Sequence, residues 1–289
     1  DLGNTVVIPG GFHIDKDSGT NVEEGIVIED ASGNQFVWIP TGEYNVSTSI
    51  NSSGKLTNNL TRRTFTTTGA TEVSGDSVIE NYFYGEGDSR SVASGQIGEF
   101  KASAESVVNG GKGGFYIGRY EIGTTTERTS SDDPLTMPLV QANKYPYAYI
   151  TRDEAKSQIE AMYAGKSNVE SELISSYAWD TALNFICQTN VGSGKGYNLA
   201  MTTNNQYGNI STNTRQNTGA YAADKYSNIQ DLLGNCEEWT TEYYSRRSSS
   251  GVTRGGNYVI NDYCAASRYV SSISDSYDSL SARAQLYVK

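Results

Sequence analysis

Two closely spaced motifs limit the folds open to this chain: Asp231–Thr240 (DLLGNCEEWT) and, a short distance later, Arg254–Gly256 (RGG). Their glycines suit tight turns or close backbone approach, Trp239 is a large apolar anchor, and Arg254 can make several hydrogen bonds of fixed geometry. Such residues are typical of folds that rely on pinned loops rather than long regular elements. We therefore interpret both motifs first as scaffold.

Short strands are predicted where β-branched and aromatic runs are broken by Pro or Gly, at Val6–Ile14, Gly25–Glu29, Phe36–Tyr44 and Gly114–Ile122. Residues 45–114 are rich in Ser, Thr, Asn and Gly and show no sustained period, except for a short helix predicted near 98–108. We interpret this segment as a long excursion of loops.

Two main helices are predicted after these strands. Thr151 is a candidate N-cap, and Glu154 three residues later completes a capping box. Apolar residues then recur on one face, at Ala155, Ile159, Met162 and Tyr163. A second helix, either continuous or interrupted, is predicted from about Ser167 to Cys187.

The charge of the chain argues against several partners. With a formal net charge of −11, most of the surface would repel a phosphate backbone or an anionic membrane, so we expect no nucleic-acid partner. Its apolar runs are far shorter than the roughly 20 residues that span a bilayer, so we expect no membrane insertion.

Residues for metal or acid–base chemistry are scarce. Cys187, Cys236 and Cys264 are odd in number and widely spaced, which argues against a disulfide framework or a zinc site and favours free, buried thiols. Because His13 is the only histidine, a histidine-rich metal centre or a Ser-His-Asp triad lacks its parts.

The motifs, taken in order, resemble the formylglycine-generating-enzyme (sulfatase-modifying factor) family. Asp231–Thr240, Val252–Tyr258 (VTRGGNY) and Ser281–Val288 (SARAQLYV) resemble its DLxGNxxEW, RGGS[WFY] and terminal [GS]FR elements. Phe36–Gly42 and Phe115–Ile122 resemble its opening FVWIPGG and its central strand, and Thr151–Tyr163 resembles its helix.

The resemblance implies an α+β, C-type-lectin-like fold of the formylglycine-generating-enzyme type, loop-rich, with short antiparallel sheets and two main helices. Residues 1–35 would form an N-terminal strand or hairpin extension packed on a lectin-like domain of residues 36–289. That domain would carry the loop insertion at about 45–114 and a ligand-binding region at about 257–280.

The chemistry of that family is not expected here. Its enzymes use two cysteines after the RGG motif to bind copper, whereas this chain has Ile260 at the first position and Cys264 one residue out of step with the second. A lone thiol does not supply the dithiolate that soft metals prefer. We expect no catalytic residues, and a formylglycine-type oxidase or related sulfur-transfer enzyme is the alternative.

A structural calcium ion is the one cofactor that the resemblance implies. In the family's NxxGNxxE turn, side-chain and carbonyl oxygens bind calcium, and the matching residues here are Asp231, Gly234, Cys236 and Glu238. The alternative is that Asp231 and Glu238 cap turns or meet solvent.

Residues 257–280 follow RGG with no helical or strand period and are dominated by Tyr, Ser, Asn and Asp. Tyrosine offers a large contact area at low entropy cost, and the small polar residues offer adaptable hydrogen bonds, as in antibody paratopes. An ordinary polar loop has a similar composition. Composition alone therefore leaves both interpretations open.

The order RGGxY, polar tract, ASxR, second polar tract and SFRPxLYxx resembles the variable proteins of diversity-generating retroelements. This chain departs from that order at Ala282 and Ala284, where Phe and Pro are usual. The resemblance implies that Val259–Tyr263, the first tract, and Tyr269–Asp278, the second tract, point outward from a rigid scaffold and bind a protein or glycan on a cell surface. It also suggests a phage tail or a bacterial surface as the location, and a fixed-sequence adhesin is a further alternative.

Aromatic anchors dominate interface energetics, so Tyr258, Tyr263, Tyr269 and Tyr277 are expected to contribute most to affinity. The expected ligand-binding residues are Asn257, Tyr258, Val259, Ile260, Asn261, Asp262, Tyr263, Tyr269, Val270, Ser271, Ser272, Ser274, Ser276, Tyr277 and Asp278.

Overall fold

Short strands and long connections make up most of the molecule. The structure is a computed structural model that describes residues 2–73, 79–80, 89–90, 98–243, 249–260 and 262–289. Its helices are α1 Gly98–Ala104, α2 Arg152–Met162, α3 Ser176–Thr189 and α4 Asn198–Met201. Its strands are β1 Phe12–Ile14, β2 Val27–Asp30, β3 Gln35–Pro40, β4 Gly42–Asn45, β5 Lys55–Asn58, β6 Arg62–Thr66, β7 Gly69–Val73, β8 Ile79–Glu80, β9 Ser89–Arg90, β10 Gly114–Gly118, β11 Gly123–Thr124, β12 Tyr145–Pro146, β13 Val169–Leu173, β14 Glu237–Tyr243, β15 Ser250–Arg254, β16 Tyr269–Ser272, β17 Leu280–Ala282 and β18 Ala284–Val288.

The largest sheet has six strands in the order β1-β2-β3-β10-β18-β13, all antiparallel. Trp38 on β3 lies opposite Tyr116 on β10, which in turn lies opposite Leu286 on β18, and all three side chains are buried. Because β1 and β2 extend this sheet, part of the segment before residue 36 continues the main sheet. The architecture is the expected α+β, loop-rich, C-type-lectin-like fold.

A second sheet, which includes part of the second tract, has four strands in the order β16-β15-β14-β17. Its β14–β17 pair is parallel, and its other two pairs are antiparallel. β16 belongs to the second tract and pairs with β15, which leads into RGG. The sheet therefore joins the tract to the two scaffold motifs.

The first predicted helix is confirmed. Thr151 Oγ1 accepts a hydrogen bond from the N–H of Glu154, and the Glu154 carboxylate accepts one from the N–H of Thr151, which forms the capping box at the start of α2.

None of the described helices is both long and apolar enough to cross a membrane.

The second predicted helix begins too early. Residues 169–173 form β13, in which Val169, Ser171 and Leu173 face inward and the residues between them are half-buried. α3 starts at Ser176, where the Ser175 side chain accepts from the N–H of Ala178. This alternation extends over only five residues, and the helical pattern after it masks its period of two.

The excursion at 45–114 contains more regular structure than predicted. Its first part contains β5, which pairs with the preceding β4, and the β6–β7 hairpin. The short helix predicted near 98–108 is present as α1 and a following 3₁₀ turn, Val107–Asn109. Residues 74–97 lie outside the described residues, apart from the backbone of β8 and β9.

Candidate ligand-binding surface

A buried network of charged side chains connects the residues that flank the two tracts. The Asp180 carboxylate on α3 accepts hydrogen bonds from Arg254 at 2.8 Å and from Arg268 at 2.6 Å. Arg268 also contacts both carboxylate oxygens of Glu242 on β14, at 3.1 and 3.2 Å. Burial acts to raise the pKa of Asp180, but Arg268 and Arg254 hold it below its usual value. Asp180 is therefore ionised and links the residues that flank the tracts.

The stretch between the two tracts belongs to the interior. Cys264, Ala265, Ala266, Ser267 and Arg268 are all buried. The Ala265 carbonyl accepts a hydrogen bond from the Trp179 indole at 2.9 Å, and the Ser267 carbonyl accepts one from Arg254 at 2.8 Å. This segment fixes where each tract leaves and rejoins the scaffold.

Asn257 fixes the start of the first tract. Its Oδ1 accepts hydrogen bonds from the N–H groups of Val259 at 2.8 Å and Ile260 at 2.9 Å. Its Nδ2 donates to Glu237 Oε1 at 2.6 Å, and Thr253 donates to the other oxygen of Glu237. Burial raises the pKa of Glu237 to about 7, because these neutral partners only partly offset desolvation.

Tyr258, the residue before the first tract, is tied to the last residue of the second tract. The Tyr258 hydroxyl donates to Asp278 Oδ2 at 2.7 Å. Arg215 donates to the Asp278 carbonyl at 2.6 Å and, through its other terminal nitrogen, to Glu127 Oε1 at 2.8 Å. Glu127, which lies outside both tracts, is therefore linked through Arg215 to the end of the second tract.

The predicted ligand-binding residues separate by exposure. Exposed are Val259, Asp262, Ser274 and Tyr277, with relative exposures of 47% for Val259 and 54% for Tyr277. Half-buried are Ile260, Tyr269, Val270, Ser272, Ser276 and Asp278. Buried are Asn257, Tyr258, Tyr263 and Ser271. Asn261 lies outside the described residues.

The expectation that both tracts point outward is therefore wrong at Tyr263 and Ser271. The RGG turn packs directly on Tyr263, since a Cβ added to Gly256 would lie 3.0 Å from the Tyr263 Cβ. The Tyr263 ring also packs on Tyr269, with ring centroids 5.0 Å apart. Ser271 lies opposite Gly251 in the β15–β16 pair, on the inward face of β16. Of the four expected aromatic anchors, Tyr277 alone is exposed.

The four residues predicted to bind calcium do not form a suitable shell. Both oxygens of Glu238 accept from Arg283, at 2.6 and 2.9 Å, and Arg283 also donates to the carbonyls of Gly118 and Gln230. Asp231 accepts from the N–H of Gly219 at 2.8 Å. In the described ranges, no group of three or more His, Cys, Asp and Glu side chains is arranged to hold a metal ion. Arg283 takes the place beside Glu238 that a cation would need.

Sequence reasoning missed Asp180, Arg215 and Glu127. One signal was available for Asp180, because Arg254, interpreted as scaffold, needs a counter-charge if it is buried. Arg215 and Glu127 lie in polar segments far from the tracts in sequence, and no local pattern marks them.

Comparisons with known proteins were made at the levels of sequence and structure. No protein-family model matches the chain, and no curated protein is significantly similar to it in sequence. Among solved structures, the chain is similar to PvdO from Pseudomonas aeruginosa, with a TM-score of 0.47 and 13% identity over 98% of this chain and 100% of PvdO. It is similar to Treponema denticola variable protein 1, with a TM-score of 0.43 and 11% identity over 88% of this chain and 95% of that protein. It is also similar to CarF, with a TM-score of 0.43 and 15% identity over 61% of this chain and 87% of CarF. At these identities and scores, the likenesses carry no information on activity or ligand.

Proposed function

We propose that this chain is a non-enzymatic ligand-binding protein whose recognition surface is diversified by a retroelement. The surface consists of the exposed and half-buried residues of the first and second tracts. It binds a protein or glycan on a cell surface through side chains that can be exchanged without disturbing the fold.

One observation carries the proposal: the backbone of the tracts is held by contacts that do not depend on the exposed side chains. Asn257 binds the N–H groups of Val259 and Ile260. At the other end, the Tyr277 carbonyl accepts from the N–H of Tyr149 at 2.9 Å. Exchanging exposed side chains on a backbone fixed in this way costs little stability.

The geometry of Cys264 supports a non-enzymatic role. Its thiol is buried, with 1% relative exposure, and burial raises its pKa above the usual value. The Cys264 Sγ lies 3.2 Å from the Ser267 hydroxyl, and the position of a second family cysteine is Ile260. A buried thiol of raised pKa is a poor nucleophile and a poor metal ligand.

Comparison of alleles tests the proposal most directly. Variation confined to codons of the exposed and half-buried positions, with a reverse transcriptase gene and a near-identical template repeat nearby, is expected. A tract identical in all alleles, with neither element nearby, would instead favour a fixed-sequence adhesin. Tight stoichiometric binding of copper or iron would favour the enzyme.

A substitution series tests the same idea in the protein itself. Replacing Val259, Asp262, Ser274 and Tyr277 singly by Ala is expected to change the free energy of unfolding by about 0.5 kcal/mol or less. Asn257→Ala, two residues before the first tract, is the matched control, and it should cost about 2 kcal/mol because Glu237 Oε1 and two N–H groups lose their partner. Equal losses at exposed and buried positions would contradict the proposal.

A further inference from the structure

A cavity of about 310 Å³ lies in the loop between β11 and residue 136, beside the second tract. Five threonines line it, together with Glu127, Arg128, Asp133 and Pro134. This volume is near the roughly 300 Å³ lower end of small-molecule sites, so it suits one amino-acid side chain better than an oligosaccharide.

Two contacts connect the cavity to the tract surface. Arg215 bridges Glu127 on the cavity wall and the Asp278 carbonyl in the tract. Tyr149 forms the second bridge, because its carbonyl accepts from Arg128 at 2.8 Å and its N–H donates to the Tyr277 carbonyl. A ligand that contacts Tyr277 would therefore be next to the cavity.

The charged groups around the cavity are already engaged within the protein. The Arg128 guanidinium donates to the main-chain carbonyls of residues 131, 133, 134, 148 and 149. Glu127 is paired with Arg215, and Asp133 Oδ2 accepts from the N–H groups of Thr129 and Ser130. Glu127 remains exposed, and the apolar part of the lining comes from threonine methyl groups and the Pro134 ring.

The surroundings of the cavity are apolar as well. Ten large hydrophobic side chains are exposed in the described part of the chain, and four of them lie here: Leu135, Met137, Tyr145 and Tyr277. Leu135 lies between two lining residues, and Tyr145 on β12 lies opposite Thr124 on β11. Grouped exposed apolar side chains rimmed by polar residues mark interaction sites.

We propose that this cavity, the anchor pocket, takes one large apolar side chain of a protein ligand, such as Leu, Met or Phe. The inference rests on the proposed function and selects protein over glycan as the ligand class. The anchor pocket supplies a fixed apolar contact, as interface anchors do, while the tracts supply the contacts that change. Its lining contains no aromatic ring on which a sugar could stack.

Nuclear magnetic resonance with small probes tests the pocket without the natural ligand. The ¹⁵N-labelled protein is titrated with N-acetyl-L-leucinamide and N-acetyl-L-phenylalaninamide, and separately with N-acetyl-L-lysinamide and methyl α-mannoside. The two apolar probes are expected to shift the amide signals of Thr125, Thr126 and Thr129 saturably, with Kd values of roughly millimolar order. No shifts there, or equal shifts with the lysine or sugar probe, would overturn the proposal.

Filling the pocket provides the variant test. Thr126→Phe, and independently Thr125→Phe, should raise the Kd of the apolar probes by roughly tenfold or more. Thr68→Phe, at an exposed threonine in the β6–β7 turn, is the matched control and should leave the Kd unchanged. Equal Kd values in all variants would overturn the proposal. These readouts do not depend on variation in the tracts. Invariant alleles would contradict the proposed function but not the pocket. A lack of probe binding would contradict the pocket but not the proposed function.

Discussion

Replacing Asp180 by Asn should be among the most damaging single changes in the molecule. The variant keeps the side-chain shape but removes the negative charge shared by Arg254 and Arg268. Arg268 keeps its ion pair with Glu242, whereas the hydrogen bonds of Arg254 to the Ser267 and Ala266 carbonyls supply no counter-charge. Breaking a buried ion pair on one side costs about 3–5 kcal/mol, a large share of the roughly 5–15 kcal/mol that stabilises a folded protein.

Urea unfolding followed by tryptophan fluorescence measures this loss. The midpoint should fall while the slope stays unchanged. Glu43→Gln is the matched control, because it removes one charge from the exposed pair with Lys55 and should cost about 1 kcal/mol or less. If Asp180→Asn and Glu43→Gln lower the free energy of unfolding by similar amounts, the buried charge network contributes no more to stability than an exposed ion pair.

Three further predictions concern local contacts. Because burial raises the pKa of Glu237 to about 7, its contribution to stability is present below about pH 4.5 and is lost as pH rises through 7, by up to about 1.4 kcal/mol per pH unit. Glu237→Gln should flatten that part of the pH–stability curve, and an unchanged curve would contradict the assignment. Thr151→Ala removes the cap of α2 and should cost about 1 kcal/mol in urea unfolding; a cost near zero would show that the capping box is dispensable. Tyr258→Phe removes the bond to Asp278 and should cost about 1.5 kcal/mol and speed amide exchange at residues 276–279, whereas unchanged exchange would show that this bond does not tie the tracts together.

Local signals in the sequence were enough for part of the fold. The capping box of Thr151 and Glu154 depends on residues three apart, so the start of α2 could be predicted. β13 could not be separated from α3, because what makes it a strand is its pairing with β18, more than a hundred residues later. The hairpins in the excursion likewise depend on distant support, such as the bond from the N–H of Arg63 to Asp180.

Which tract residues face inward could not be predicted from the sequence. The motifs located the tracts between RGG and the last strands, whereas composition does not tell which tyrosine faces inward. Tyr263 faces inward because the Gly256 turn and the Tyr269 ring pack on it. The ion pair of Glu238 with Arg283 could not be predicted either, because the two residues meet only in the folded chain.

The position of β18 has a consequence for chains that are truncated or frameshifted before it. β18 follows the tracts in sequence, yet it lies inside the six-stranded sheet between β10 and β13. A chain that stops or shifts reading frame within the tracts lacks β17 and β18, which leaves edges of β10, β13 and β14 unpaired and Glu238 without Arg283. Such a product cannot complete its core and is exposed to proteolysis. Folding itself therefore separates chains read through in frame from truncated ones, because only the former can form both sheets.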